Sequence, residues 1–204
     1  MSAVDEQTPF ALAHRPLPTA PGADRYVSLD FANTVGQLAR EQAYDLLPAP
    51  EATQRWLASH DLSAPDVQLH DACVQDLRTL RGHVRALFTA RTTARMPPAQ
   101  SLDAVNKALM AAPTAPTLQW DEANGPHRVQ VRPTPGQVLT HALAVLSADA
   151  ADLLAGPDSD RLATCGSAPC NRFLLRTHGR RHWCSTRCGD RARAARAQAR
   201  RSAT

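Results

Sequence analysis

Lysine is nearly absent: Lys107 is the only one in 204 residues, so positive charge rests almost wholly on arginine. Aromatic residues are scarce as well, at 4%, which argues against a surface built to stack unpaired bases. No long apolar run goes uninterrupted. The most apolar window, Val138 to Ala155, is broken by His141, Asp149 and Asp152 and is not expected to span a bilayer. No charged-then-apolar signal pattern is seen at the start. Five cysteines in a chain this long do not make a disulfide framework. These absences lead to the expectation of a reducing cytoplasm, where paired cysteines bind metal more often than they form disulfides. Also missing are a nucleophile elbow, a phosphate loop, a dinucleotide fingerprint and a metalloprotease motif. With no acid–base pair standing out, the chain is not expected to be an enzyme.

What is present concentrates near the C-terminus. Cys165 and Cys170, then Cys184 and Cys188, read C-x4-C and C-x3-C within CGSAPCNRFLLRTHGRRHWCSTRC. Two close pairs separated by about a dozen residues suit tetrahedral zinc, each pair giving two thiolates from one tight turn. Four thiolates close the coordination shell, so a structural rather than catalytic Zn2+ is expected. A redox pair or two disulfides is the competing reading, and His178 and His182 lie close enough in sequence to replace a cysteine. Phe173-Leu174-Leu175 is expected as a strand, returning through Arg181-His182-Trp183 as a second. Alanine and arginine beyond Gly189 then predict a helix that Cys188 opens.

Charge is divided unevenly. Residues 161–204 hold eleven arginines and one acid, Asp190, for a net of +10, while the whole chain is +4. An acidic body with a basic arm is the asymmetry of a nucleic-acid contact confined to one end. The candidate contacts are Arg180, Arg181, Arg187, Arg191, Arg193, Arg196 and Arg200, with Arg193, Arg196 and Arg200 on one helix face. Double-stranded DNA is the expected partner, met through phosphates and guanine edges. A solvated basic helix with no dedicated target explains the same charge without a partner.

Ahead of the arm, residues 1–22 read as a loose leader rich in proline. Helical periodicity is expected within Tyr26 to Leu38, Glu51 to Ser59, the proline-free stretch 66–96, Ser101 to Leu109 and Gln137 to Leu154. In the longest of these, Leu69, Cys73, Leu77, Leu80, Val84 and Leu87 or Phe88 form one apolar stripe. Thr117 to Trp120 and His127 to Arg132 alternate about Asn124-Gly125 and predict a hairpin. The domains are therefore 1–22, a helical body over 23–157, and a metal-built unit over 161–204. The fold class is mainly α: an orthogonal helical bundle with a small β-hairpin, then a treble-clef-like finger and a basic C-terminal helix.

Within the body, Asp30 and Asn33 stand in an apolar setting, where capping is the simpler role and ligand binding the alternative. The sequence RRHWCSTRCGDRARAARAQAR resembles the C-terminal signature of the CGNR zinc-finger family, with Cys188-Gly189-Asp190-Arg191 at the signature itself. Asp190 stands where the family has asparagine, and is read as a helix cap or an arginine partner. The segment Leu29-Asp30-Phe31-Ala32-Asn33-Thr34, with Asp45-Leu46-Leu47 and Trp56-Leu57 after it, is similar to the ABATE domain that precedes this finger. The resemblance implies a bacterial, mainly helical protein acting in stress-related transcription regulation. The expectation is a zinc-binding, DNA-binding regulator whose body senses a small-molecule effector or forms a homodimer, with no membrane partner. The alternative is a zinc-stabilised RNA-binding or ribosome-associated protein.

Overall fold

The computed structural model describes residues 17–38, 43–112, 117–122, 125–129, 135–177, 179 and 181–202. Among these are six α-helices and three two-stranded antiparallel sheets. The mainly helical class holds.

Helix α1, Val27–Ala32, is shorter than the periodicity through Leu38 predicts. Thr34 ends it, donating its hydroxyl to the Phe31 carbonyl at 2.7 Å. The chain then turns into strand β1, Val35–Gln37, which pairs with β2, Ala43–Asp45. Gly36 is required there, because a Cβ would lie 2.7 Å from Asn171 Oδ1 and 2.9 Å from the Tyr44 hydroxyl. Helix α2, Pro50–Ser59, starts on a proline whose missing N–H costs nothing at a helix N-terminus.

The 22-residue helix α3, Asp71–Thr92, follows the predicted stripe from Leu77 on, burying Leu77, Leu80, Val84, Leu87 and Phe88. Leu69 precedes the helix, and Val74 is buried in place of the half-buried Cys73. It stops in a Schellman turn. Ala94 takes φ +52, its N–H reaches the Arg91 carbonyl, and the Arg95 N–H reaches Ala90. Helix α4, Ala99–Ala111, and α5, Val138–Ala155, complete the bundle. By length and composition α5 alone among the described helices could cross a membrane. Here it packs against α1, α3 and α4, burying Ala142, Leu146, Ala150 and Leu153 in the common core. The hairpin between α4 and α5 pairs β3, Thr117–Asp121, with β4, Gly125–Val129. Its Leu118 and Trp120 are 72% and 76% exposed.

A third ladder joins the body to the cysteines. Strand β5, Leu162–Thr164, pairs with β6, Phe173–Leu175. The expected strand at 173–175 is present, but its partner is β5 rather than Arg181-His182-Trp183, which carries no strand. Side chains alternate across the ladder. Leu162, Phe173 and Leu175 enter the helical core, whereas Ala163 and Leu174 pack with the four cysteines, Ala20 and Ala23. One short hairpin thus has one face on the helices and the other on the sulfurs. Phe173 meets Phe88 edge-on, ring centroids 5.5 Å apart, and the Arg85 guanidinium sits 5.0 Å from its ring centre. From the predicted leader, residues 17–22 are packed here too: Ala20 is buried, and Gly22, at φ +90, lies where a Cβ would meet Leu175 Cγ at 2.5 Å. Basic helix α6, Thr186–Ser202, closes the described chain.

Candidate metal centre

The β5–β6 hairpin delivers the first cysteine pair. Cys165 follows β5, and its N–H extends the ladder to the Arg172 carbonyl at 2.8 Å. The turn between the pair is closed by the Cys170 N–H on the Ser167 carbonyl at 3.0 Å. The second pair belongs to the start of α6. Ser185 stands just before that helix, where its hydroxyl accepts from the Cys188 N–H at 3.3 Å, an N-cap contact. Cys188 therefore sits in the first turn, as its sequence position predicts. The two knuckles are tied by the Gly166 N–H on the His182 carbonyl at 2.8 Å, and by the Cys184 N–H on Cys165 Sγ at 3.5 Å.

The four sulfurs are buried and lie within 4.8 Å of one another. Sγ separations are 3.7 Å for Cys170–Cys184 and 3.6 Å for Cys184–Cys188. A tetrahedron with metal–sulfur bonds of about 2.3 Å has edges of about 3.8 Å, so the donor set fits such an ion. All four thiols are free of disulfides. His182 is exposed and contributes only its carbonyl to the knuckle, so the cluster is all cysteine. His178 lies outside the described residues.

Proton sharing within the cluster matches this chemistry. Hydrogen bonds from Cys170 and Cys184 hold the Cys165 thiol down to about 2. The Cys165 partner raises Cys170 to about 11, and hydrogen bonds to Cys165 and Cys170 push Cys184 upward. Thiolate ligation of a cation releases the protons that such a cluster holds. Two guanidinium groups stand beside the excess negative charge of a four-thiolate site. Arg172, 3% exposed, donates to the Pro18 carbonyl at 2.9 Å and lies 4.0 Å from Cys184 Sγ. Arg191 donates to the Ser167 carbonyl at 2.6 Å and lies 3.6 Å from Cys188 Sγ. Charge-assisted contacts of this kind orient and neutralise metal ligands.

The expected nucleic-acid contacts divide. Arg187, Arg193, Arg196 and Arg200 are exposed along α6. Arg193 and Arg196 hold their guanidinium groups 5.7 and 5.5 Å from the Trp183 ring centre. Arg191 turns inward to the first knuckle instead, and Arg181 is half-buried. Arg180 lies outside the described residues. Asp190 pairs with Arg193 one helical turn on, the arginine-partner role expected for it.

Asp30 and Asn33 are both tied to other elements of the fold. Asn33, 2% exposed, donates its amide to the Phe173 carbonyl at 2.9 Å and accepts the Phe173 N–H at 2.8 Å. Both ends of its side chain are thereby used to cap the outer edge of β6. Asp30 accepts from the Trp56 indole at 3.1 Å and lies 3.3 Å from His60 Nε2. These contacts are those of the capping role. Arg172, Asn33 as a strand cap, and Trp183 as an arginine platform are the residues that spacing alone does not single out. The only sequence signal for them is proximity to the cysteines or, for Asn33, polarity within an apolar run.

The chain matches two family descriptions in order. Residues 26–157 match ABATE, described as "Putative stress-induced transcription regulator", and residues 161–201 match the CGNR zinc finger. A comparison with curated proteins finds no match. The match over most of the chain, together with the four-sulfur cluster, places this protein in the ABATE family with a C-terminal CGNR zinc finger.

Proposed function

We propose that the protein is a zinc-loaded transcription regulator whose C-terminal finger binds double-stranded DNA. The observation that carries this reading is the exposed guanidinium row on one face of α6, Arg193, Arg196 and Arg200, standing on a helix that the cysteine cluster anchors. Zinc is favoured because four thiolates in a closed tetrahedral set suit its filled d shell and borderline softness. The acidic body holds the finger through the β5–β6 ladder and serves in sensing or self-association, not catalysis. A homodimer would set two such fingers on one duplex. Its expected partners are duplex DNA and, for the body, a small effector.

The test is a titration of the full-length metal-loaded protein with labelled duplex DNA, with structured RNA as competitor, at several salt concentrations. Each phosphate neutralised lowers log K by roughly 0.9 per decade of salt. The three arginines of that face would together give a slope of about −3. A flat salt response, or displacement of duplex by much less RNA than competing duplex, overturns the reading. Metal analysis of the purified chain accompanies it, with about one zinc per chain expected.

A further inference from the structure

Beside the metal centre, the first knuckle, the Trp183 segment and α6 enclose an open notch of about 490 Å³. Its lining is cationic and aromatic. Arg191, Arg196 and His182 supply cationic or hydrogen-bonding groups, Trp183 supplies an aromatic wall, and Ala192 and Ala195 supply small apolar surface. No acid lines it. Ser167 also lines the notch and is 3% exposed, yet its hydroxyl has no hydrogen-bond partner among the described residues. The same is true of the buried Nε of Arg191. Buried polar groups are normally paired.

The geometry points to a nucleotide-binding notch: it receives one nucleotide unit, with the phosphate at Arg196 and His182 and the flat ring against Trp183. The class of ligand follows from the pairing of features. A simple anion would need no aromatic wall, and an apolar ligand would leave Arg196 and His182 unpaired. A phosphate ester carrying a sugar and base satisfies both, and the notch volume lies within the range of small-ligand sites, roughly 300–1,000 Å³. The arginines over Trp183 already hold one ring region in a cation–π arrangement, which pre-organises both partners and lowers the ordering cost of binding. This inference rests on the proposed binding of nucleic acid, and it specifies a single contact that row electrostatics does not require. A nucleotide could reach the notch as part of a strand or as a free mononucleotide.

Three variants of the full-length metal-loaded protein test it. Ala195→Leu fills the notch from an exposed helix position, keeps the charge and retains helix propensity. Arg196→Gln removes the anion partner, and Arg200→Gln removes one arginine of the row outside the notch. Each is titrated with a labelled duplex and with adenosine monophosphate, reading Trp fluorescence against a Trp183→Phe reference. Ala195→Leu is expected to weaken duplex binding about tenfold at every salt concentration, whereas Arg200→Gln loses affinity mainly at low salt. Quenching of Trp183 by the mononucleotide, abolished by Ala195→Leu and by Arg196→Gln, would assign the notch to free nucleotides as well. Duplex affinity and Trp183 quenching unchanged in Ala195→Leu overturn the notch while leaving row binding intact. Failure of the wild type to bind duplex at all, with mononucleotide still quenching Trp183, overturns the DNA reading and keeps the notch.

Discussion

Replacing Asn33 by alanine tests how firmly the helical body and the finger are joined. In the β5–β6 ladder, residues alternate between positions that exchange hydrogen bonds with the neighbouring strand and positions that point away. Cys165 and Arg172 bond across the pair, which turns the Phe173 N–H and carbonyl toward the outer edge. There the Asn33 amide takes both, at 2.8 and 2.9 Å, and the Pro21 carbonyl takes the next outward N–H, from Leu175, at 2.7 Å. Asn33 thus stands in for a third strand. Removing its amide leaves one buried donor and one buried acceptor unpaired, each costing about 1–3 kcal/mol. Some water can enter the space vacated, so a total of about 2–5 kcal/mol is expected. For a chain of this size that lowers Tm by roughly 5–15 °C. Guanidinium and thermal unfolding of the zinc-loaded protein, followed by far-ultraviolet circular dichroism, measure the loss. The control is Asn171→Ala, whose side chain accepts only the Gln37 N–H at an exposed site and which should cost less than about 1 kcal/mol. A loss below about 0.5 kcal/mol for Asn33→Ala would refute the reasoning. So would equal losses for the two variants.

Chelation of the metal should melt α6 while leaving α1 to α5 folded. A basic helix with two buried residues, Cys188 and Gly189, has little to hold it once its cysteines are released. Circular dichroism should then fall partially, and loss of all helix in one step would contradict this. Ala94→Gly should stabilise the protein by about 0.5–1 kcal/mol, because glycine accepts the left-handed geometry after α3 at little cost; a lower denaturation midpoint would count against it. The Asp30–His60 pair should impose a pH dependence. The Asp30 hydrogen bond, opposed by burial, raises His60 above its ordinary 6.5. Burial raises Asp30, but the His60 and Trp56 hydrogen bonds outweigh it and hold the carboxyl below its ordinary 3.8. The His60 contribution is complete below its unfolded pKa and fades as pH rises through the raised value. The Asp30 contribution is present above its unfolded pKa and fades as pH falls through the lowered one. His60→Ala should therefore destabilise more at pH 5 than at pH 9. Its stacking on Trp56, centroids 4.3 Å apart, and its Nδ1 contact with the Trp56 carbonyl at 2.9 Å are lost at both, and the ion pair only at the lower. Equal differences at the two pH values would refute the pairing.

Long-period signals were legible in the sequence and short-range capture was not. The α3 stripe predicts its buried face from Leu77 on, because apolar residues at steps of three and four leave no other arrangement. The cysteine spacing likewise leads to a four-sulfur cluster, and Cys188 to a helix start. The same periodicity overextends α1, because Thr34 and Asn33 divert their side chains to a backbone carbonyl and to a distant strand. The partner of Phe173-Leu174-Leu175 is misplaced for a related reason. Leu162-Ala163-Thr164 gives no strand signal, since three residues show no alternation of their own, and only pairing reveals their two faces. No local pattern announces that Arg172 lies between Pro18 and Cys184, because those partners come from three separate stretches of chain.

Arginine composition therefore overstates the binding surface of the arm. Its eleven arginines include several with internal duties. Arg161 donates to the Asp158 carboxylate at 2.8 Å and to the Arg176 carbonyl at 2.9 Å. Arg172 and Arg191 stand by the sulfurs. An arginine so placed cannot leave for a phosphate without unpairing what it holds, a loss of about 1–3 kcal/mol for a charged group. The metal centre draws on the same residue type that would meet nucleic acid, since thiolate and phosphate are both anions seeking a forked donor. Position decides between the two duties. Arg172 and Arg191 face the knuckles and neutralise sulfur, Arg193, Arg196 and Arg200 face solvent, and Trp183 lies between them under Arg193 and Arg196. The basic charge that first sets the arm apart is thus partly internal, and the surface available to a partner is narrower, built on α6 and the notch at its base.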